Sequence, residues 1–499
     1  VSEEAPQSPK GLLVLAGNWL GLGGLAVSAC SLLALLCLIA IDLFFGFDRP
    51  YLGVIIYIIL PGTVLAGLLL TAAGAWRQRR LRKIGGGVPP PLPRLDLNNP
   101  RHRRNLLLAA GIIFVFLLFS AFGSYRAYQV TESVAFCGLL CHQVMEPVHT
   151  AYLNSPHARV ACTKCHIGPG ASWYVRTKIS GLRQVYAVLT NSYPRPIPVP
   201  VENLRPARET CEQCHWPEKF YGSTELLRRH FRSDADNTPF EIRMLLKVGG
   251  ANPRHGPVGG IHWHMVVGND IEYLPEDRSR QTIPWVRVTN RETGKTVVYR
   301  SPDSPPASQP DAADLRRMDC IDCHNRPTHI FQSPNEALDV ALWLERIDDS
   351  VPSIKLNAAQ ALVQGGEAAS QSDGLRKIAD LLSLEYADYP DPRKIDQAIE
   401  EARNIFRNNF FPEMNTDWRV RPDNIGHFIW TGCFRCHDGS HVSEAGETIT
   451  SDCNACHAIV AQGKPAETGT GNLSGLDFDH PAGMIPPGLN CNLCHSGSP

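Results

Sequence analysis

The chain has 499 residues, a formal net charge of −1, 43% hydrophobic residues and 19% charged residues. Without a polycationic surplus, nucleic acid is not expected as a partner. The 39 Pro and 41 Gly fit a loop-rich chain, one whose core needs filling by more than aliphatic side chains.

Apolar residues are concentrated early. Three runs, 20–45, 51–75 and 105–125, are long enough to cross a bilayer, which takes about 20 apolar residues. Between the second and third lie Arg77, Arg79, Arg80, Arg82, Lys83, a Pro-rich linker, and then Arg101, Arg103 and Arg104. The turn between the first two holds only Asp48 and Arg49. Basic loops stay on the cytoplasmic side. This predicts a bacterial inner-membrane protein with a cytoplasmic N-terminus and a periplasmic region after residue 126. The first run reads as an anchor and not as a removed signal, because it is long and lacks a small-residue cleavage pattern. Cys30 and Cys37 within it have no neighbouring His and read as small apolar residues.

After the third run the cysteines form a pattern. Six motifs read C-x-x-C-H: Cys162/Cys165/His166, Cys211/Cys214/His215, Cys320/Cys323/His324, Cys433/Cys436/His437, Cys453/Cys456/His457 and Cys491/Cys494/His495. A further motif precedes them, Cys137-Gly-Leu-Leu-Cys141-His142, with one extra residue between the cysteines. Together they use 14 of the 16 cysteines. In such motifs the two thiols add to haem vinyl groups and the His binds iron. A structural zinc site or redox dithiol explains one isolated motif but not a His directly after every pair. Seven covalently bound c-type haems are therefore expected, and the chemistry of such a chain is electron transfer. Haem attachment outside the inner membrane agrees with the topology read from the charges.

The expected architecture is three N-terminal transmembrane α-helices followed by a loop-rich, mainly α periplasmic multihaem cytochrome c region with a few short strands. Residues 1–128 form the anchor and 129–220 a three-haem region. Residues 221–330 form a haem-poor segment carrying the fourth motif, with strands expected at 260–268, 285–288 and 296–299. Residues 331–432 form a helical insert, with helices expected at 335–347, 375–384 and 394–408. Residues 433–499 hold the last three motifs. After the second motif, Val175, Ile179, Leu182, Tyr186 and Leu189 recur at helical spacing, with Arg176, Lys178 and Arg183 among them. This segment reads as an interfacial amphipathic helix, the alternative being a helix packed on haems.

Of 18 His, seven belong to the motifs. His102 sits in the basic loop, which leaves ten for the six second axial ligands that the C-x-x-C-H haems require. Expected among them are His157, His230, His262, His264, His329, His427, His441 and His480. His262 and His264 alternate about Trp263 and would share one face of a strand. That supply argues for saturated electron-transfer haems, since an open iron site is what catalysis at the metal needs. No C-x-x-C-K occurs, which disfavours a terminal reductase.

A membrane helix, a first motif with a nearby Met (Cys141-His142-Gln143-Val144-Met145), then Asn154-Ser-Pro-His-Ala-Arg159 leading into Cys162-Thr-Lys-Cys-His166, resembles the NapC/NirT family of membrane-anchored quinol dehydrogenases. Seven motifs and three spans look most like its inner-membrane seven-haem members from metal-reducing bacteria. The resemblance implies oxidation of a membrane quinol, read as menaquinol, at the first haem. Electrons would pass outward to periplasmic cytochromes or other redox proteins. In the family a Met can ligate the first haem. Met145 matches that role, but the spacing here is longer, leaving His142, Met145 or both as ligands. A family Lys near the quinol matches Lys178. The carboxylate expected seven residues on is absent, Val185 standing there, so Glu132 or Glu146 would accept the proton. The competing reading is a non-enzymatic electron-conduit subunit of a larger respiratory or photosynthetic membrane complex.

Overall fold

A computed structural model describes residues 18–45, 59–85, 97–139, 142–168, 171–201, 205–250, 259–265, 268–302, 310–465, 468, 471–481, 483 and 489–499. Among the described residues the longer helices are α1 (Trp19–Phe45), α2 (Leu60–Gly85), α3 (Pro100–Thr131), α4 (His142–Leu153), α5 (Ala171–Leu189), α6 (Pro334–Trp343), α7 (Ile354–Gly366), α8 (Gln371–Glu385) and α9 (Pro392–Asn409). The chain divides into two compact units: Val1–Cys137 with Cys162–Tyr186, and Gly138–Ala161 with Ala187–Pro499.

In the first unit α1 and α2 form an antiparallel pair, built the opposite way round from a soluble helix pair. Small and hydroxylated residues line the contact: a Cβ on Gly24 would lie 2.6 Å from the Gly67 carbonyl, and one on Gly74 would lie 2.7 Å from the Gly21 nitrogen. Across the contact the Ser28 hydroxyl donates to the Val64 carbonyl at 3.1 Å, and the Asn18 amide donates to Gly74 at 2.9 Å. Leu32, Leu33, Leu36, Leu65, Leu68 and Leu69 point outward. Close approach through small residues with leucines facing out is how helices pair in lipid, where apolar burial supplies no drive.

Three spans were expected. Among the described residues one stretch, Trp19–Leu38, is long and apolar enough by length and composition to cross a membrane. The second expected span begins in residues outside the described ones, and α2 runs on through Arg77 and Arg80. The third falls within α3, where most side chains between 109 and 124 lie outside the described ones. The described part of the anchor is thus helical, and one of its helices has the length and composition of a span. Also in this unit, α5 forms where the 3.6-residue periodicity placed it. Ile179, Leu182, Tyr186 and Leu189 along it are exposed.

The second unit has a helical core and two small sheets. Helices α6 to α9 bury Leu338, Ile354, Leu362, Ile378, Leu382 and Phe406 around one another. Ser333 and Glu336 form a capping box at the start of α6, and Ser370 and Asp391 cap α8 and α9. Three of these helices match the expected ones; α7 was not anticipated, because its Ala-, Gln- and Gly-rich sequence carries a weak apolar stripe. Strands β1 (Thr224–Phe231), β2 (Pro239–Leu246), β3 (Asn269–Leu274), β4 (Trp285–Asn290), β5 (Thr296–Arg300), β6 (Arg316–Arg317), β7 (Val442–Ser443) and β8 (His457–Gly463) form sheets of order β1-β2-β8 and β6-β3-β4-β5-β7.

The strand expected at 260–268 is not one. Residues Ile261–Met265 form a short 3-10 helix. Gly260 opens it at φ +99°, where a side chain would collide with the Lys247 carbonyl. Three residues per turn put neighbours two apart on different faces, whereas a strand puts them on the same face.

Candidate haem sites

Each C-x-x-C-H motif folds locally as a short helical turn that sets the two cysteines and the His together. Cys162–His166, Ala207–Cys211 and Cys320–Cys323 are α-helical, while Gly432–Arg435, Cys453–Ala455 and Cys491–Leu493 are 3-10 turns. In the first motif Cys137 lies in the helix Val134–Leu139. Cys141 falls outside the described residues, and His142 is described only as the first residue of α4. Within the first unit the Cys137 and Cys162 thiols lie within hydrogen-bonding reach.

The two thiols of a motif are not equally enclosed in every case. Cys165, Cys214 and Cys494, the second cysteines of the second, third and seventh motifs, are exposed, whereas their partners Cys162, Cys211 and Cys491 are partly buried. In the sixth motif the order is reversed, Cys453 being exposed and Cys456 partly buried. Cys214 N and Cys494 N each donate to the carbonyl of their partner cysteine at 3.1 Å, and the same bond forms at Cys436 and Cys456, so the turn alone does not set the exposure. In the fourth and fifth motifs all four cysteines are partly buried, because these two motifs pack on each other through Arg435. The chain itself therefore encloses both thiols of these two motifs, and at Cys165, Cys214 and Cys494 it leaves the attachment side open to solvent.

The histidines test whether these turns fit haem. An imidazole nitrogen sits about 2 Å from a first-row metal, and a five-membered ring with bonds near 1.35 Å has its nitrogen about 1.1 Å from its centre. Two imidazoles on opposite faces of one iron therefore place their centres about 6.2 Å apart. Five motif histidines face a second His at this spacing: His215 faces His157 at 6.1 Å, His324 faces His262 at 6.3 Å, and His437 faces His264 at 5.7 Å. His457 faces His427 at 6.1 Å, and His495 faces His480 at 6.0 Å. The 3-10 turn explains why His262 and His264, two residues apart, serve different partners.

Hydrogen bonding orients several of these rings. The Nδ1 of His157 lies 2.9 Å from the Pro327 carbonyl, that of His262 2.7 Å from Val248, that of His264 2.8 Å from Ile261, and that of His437 2.7 Å from Thr450. A carbonyl only accepts, so Nδ1 carries the proton and Nε2 keeps its lone pair, the tautomer a metal ligand needs. Burial pulls His264, His324, His427, His457 and His495 below the ordinary imidazole range and so favours the neutral, ligating form. His329 shares the pattern, its Nδ1 lying 2.9 Å from the Val148 carbonyl.

One expected ligand is placed otherwise. His441 is 2% exposed, with Nδ1 2.9 Å from Asp438 and Nε2 2.7 Å from the Ile283 carbonyl. Both nitrogens are committed to protein, so His441 is a structural residue and not an iron ligand. His230 is anchored through Nδ1 on Asp339 at 3.0 Å, a carboxylate that the buried Lys355 also pairs with, and this anchoring leaves Nε2 its lone pair as at His329. The ring facing His495 is that of His480.

At the head of the first unit Lys178 Nζ lies 3.1 Å from Glu132 Oε1. Lys178 comes from α5, and Glu132 is the residue that ends α3. The pair lies in the same unit as Cys137 and Cys162. Met145 and Glu146 lie on α4 in the second unit, both partly buried.

Residues 99–196 match the N-terminal region of the NapC/NirT cytochrome c family. Cytochrome c-type protein ImcH of Geobacter sulfurreducens is 44% identical over 483 residues, spanning 94% of this chain and 93% of that protein. The chain belongs to the NapC/NirT cytochrome c family. No solved structure matches it. It is accordingly a membrane-anchored multihaem cytochrome c, and covalent haem c is the cofactor its cysteine motifs serve.

Four residues of this cytochrome lay outside the expected site. His149 packs on the first motif, where any Cβ on Gly138 would collide with its ring. Asp319, Asp322 and Arg435 tie motifs to one another. Asp319 and Asp322 form a capping box around Cys320, and that signal is readable as Asp-Cys-Ile-Asp in the sequence. His149 and Arg435 have no local signature.

Proposed function

We propose that this cytochrome oxidises a membrane quinol, of the menaquinol type, and passes the electrons through seven covalent haems to a periplasmic redox protein. The N-terminus is cytoplasmic in this reading, the haem region is periplasmic, and α1, α2 and α3 are three membrane spans. The observation that carries it is the set of five motif histidines, each opposed by an imidazole at 5.7–6.3 Å. Irons held on both faces relay electrons and offer no site for substrate.

The axial pairs in this reading are His157/His215, His262/His324, His264/His437, His427/His457 and His480/His495. His166 is the motif ligand of the second haem, and His329 is retained as a distal ligand by its Nδ1 anchoring. His142 and Met145 remain the ligands proposed at the first haem. Cys165, Cys214 and Cys494 keep their role as attachment thiols despite their exposure, since thioether formation needs reach to a vinyl group and not burial.

Quinol oxidation releases two electrons and two protons, and each haem, when bound, accepts one electron. The chain must hold the quinol and take its protons. Lys178 and Glu132 supply both functions within 3.1 Å of each other. The Glu132 carboxylate accepts the quinol hydroxyl proton, and the Lys178 ammonium donates to the same oxygen as its negative charge develops. The exposed apolar face of α5 supports an interfacial position, where a lipid-borne quinol arrives. Glu146 is the second carboxylate proposed for proton uptake.

The test is optical. Purified, detergent-solubilised protein is mixed with a menaquinol analogue and haem reduction is followed. Fast reduction is expected, lost in Lys178→Ala and Glu132→Gln while dithionite still reduces every haem. No reduction by quinol, with full reduction by dithionite, replaces this reading with that of a conduit subunit.

A further inference from the structure

Consecutive motifs in the second unit are joined one to the next by specific contacts. The third and fourth share Asp319: its carboxylate accepts from Ala207 N at 2.9 Å, at the start of the third motif's helix, and from Cys320 N at 2.7 Å. The Cys211 and Cys320 thiols lie within hydrogen-bonding reach. The fourth and fifth share Arg435, which lies between Cys433 and Cys436 and donates to the Asp322 carbonyl at 2.7 Å, between Cys320 and Cys323. They also draw second imidazoles from a single turn, His262 and His264.

The fifth and sixth share His427. Its ring faces His457 of the sixth motif and stacks on Phe434, inside the fifth, at 4.1 Å and 14°. The same His427 joins the sixth to the seventh, its Nδ1 lying 4.0 Å from Cys491 Sγ. Every junction therefore uses a residue inside a motif, the residue that caps one, or a second imidazole, and every junction links neighbours in the sequence.

We infer that the haems of the third to seventh motifs form one unbranched electron wire, ordered as in the chain and ending at the seventh. It rests on the proposed haem ligation but not on the quinol reading. Asp319 and Arg435 are positioning residues that set the spacing between neighbours, and His427 is the shared element of two junctions. An unbranched order has a kinetic consequence: loss of one interior haem strands every haem beyond it.

The first test is the iron order in the haem-loaded, detergent-solubilised protein by electron cryomicroscopy. Each iron from the fourth to the sixth motif is expected to have the preceding and following motifs' irons as its nearest neighbours. A nearest neighbour that skips a motif overturns the inference. This measurement needs no electron donor, so failure of the quinol reading leaves it standing. The second test is a Cys453→Ala/Cys456→Ala variant, which lacks the sixth haem. Rapid mixing with limiting reductant is expected to lose two haem equivalents from the fast phase, the missing sixth and the stranded seventh. Loss of only one overturns the wire. If that variant fails to fold, Arg435→Gln serves. It retains all haems, and the expected outcome is a slowed step between the fourth and fifth haems with unchanged midpoint potentials. A rate equal to wild type counts against Arg435 as a spacer.

Discussion

Asp322→Asn tests whether the motifs are held by their interior residues. The Asp322 side chain is 2% exposed. Its Oδ1 accepts from Tyr273 at 2.8 Å, Arg280 at 3.1 Å and Arg316 at 2.7 Å, and its Oδ2 accepts from Asp319 N at 2.7 Å. An Asn of the same shape keeps one acceptor oxygen, and its NH₂ must then face either the Asp319 N–H or the arginines. The first leaves a buried donor against a donor, costing about 1–3 kcal/mol. Loss of the negative charge adds to this. Arg280 and Arg316 are 21% and 28% exposed, so solvent screens part of the uncompensated charge and the added cost stays near ~1 kcal/mol. The sum is about 2–4 kcal/mol. Heat denaturation of the haem-loaded protein, followed by circular dichroism at a fixed scan rate, should show a midpoint lower by about 3–6 °C. Covalent haem content should be unchanged, because the thiols are untouched. A midpoint within a degree of wild type would falsify the idea that Asp322 clamps the fourth motif to its surroundings.

Three further outcomes follow from the geometry. The opposed rings differ in angle, 8° for His262/His324 and 20° for His427/His457 against 71° for His157/His215 and 85° for His264/His437. Electron paramagnetic resonance of the oxidised protein should contain both rhombic low-spin and large-gmax signals, with His264→Met removing intensity from the latter class. Gly138→Ala drives a methyl into the His149 ring and should lower haem occupancy at the first motif, read as a fractional drop in haem per protein by pyridine haemochrome, with the other motifs loaded. Lys394 and Ser350 hold the Asp348 carboxyl down to about 2, below the ~3.9 of an unfolded chain. A depressed carboxylate stabilises above its unfolded value and loses that contribution as pH falls from ~4 toward ~2. Asp348→Asn should lower stability modestly at neutral pH, as expected of an exposed pair, leave it unchanged near pH ~2, and so flatten the acid limb over that window.

Much of the haem apparatus was legible because covalent attachment is local: two thiols and an imidazole must lie within one turn, so the sequence spells them together. How far the chain covers each thiol is not local, which is why Cys165, Cys214 and Cys494 read like Cys323 and Cys436 in the sequence and differ from them in exposure. Second axial ligands obey no local rule either. His157 precedes the second motif yet faces His215 of the third, and His427 precedes Cys433 yet faces His457. Nearness along the chain misled most at His441, where Asp438 three residues back captures one nitrogen and the Ile283 carbonyl captures the other. The alternation of Ile261-His-Trp-His-Met265 looks like a strand. What decides against it is backbone: Gly260 takes a positive φ, and the Lys247 and Gly249 carbonyls accept from Ile261 and His262. None of these partners can be read from the segment itself. Helices with strong stripes and caps, such as α9 after Asp391-Pro392, were legible for the opposite reason.

In the fourth and fifth motifs the residues between the paired cysteines tie the motif to its surroundings. Attachment chemistry leaves those two positions undetermined, so they are available for other work. In the fourth motif one holds Asp322, which gathers Tyr273, Arg280 and Arg316, and in the fifth they hold Phe434 and Arg435, one reaching forward to His427 and the other back to Asp322. Gly432 adds the turn that makes this possible: at φ +49° it lets Cys433 N reach the Gly426 carbonyl at 2.9 Å, closing the loop that carries His427. In the proposed reading, the fourth and fifth motifs hold their haems through their cysteines and set the distance to a neighbour through their interior residues. Electron transfer between haems falls steeply with separation, so a chain lacking a strict repeat can still keep its haems in step by choosing these two residues motif by motif.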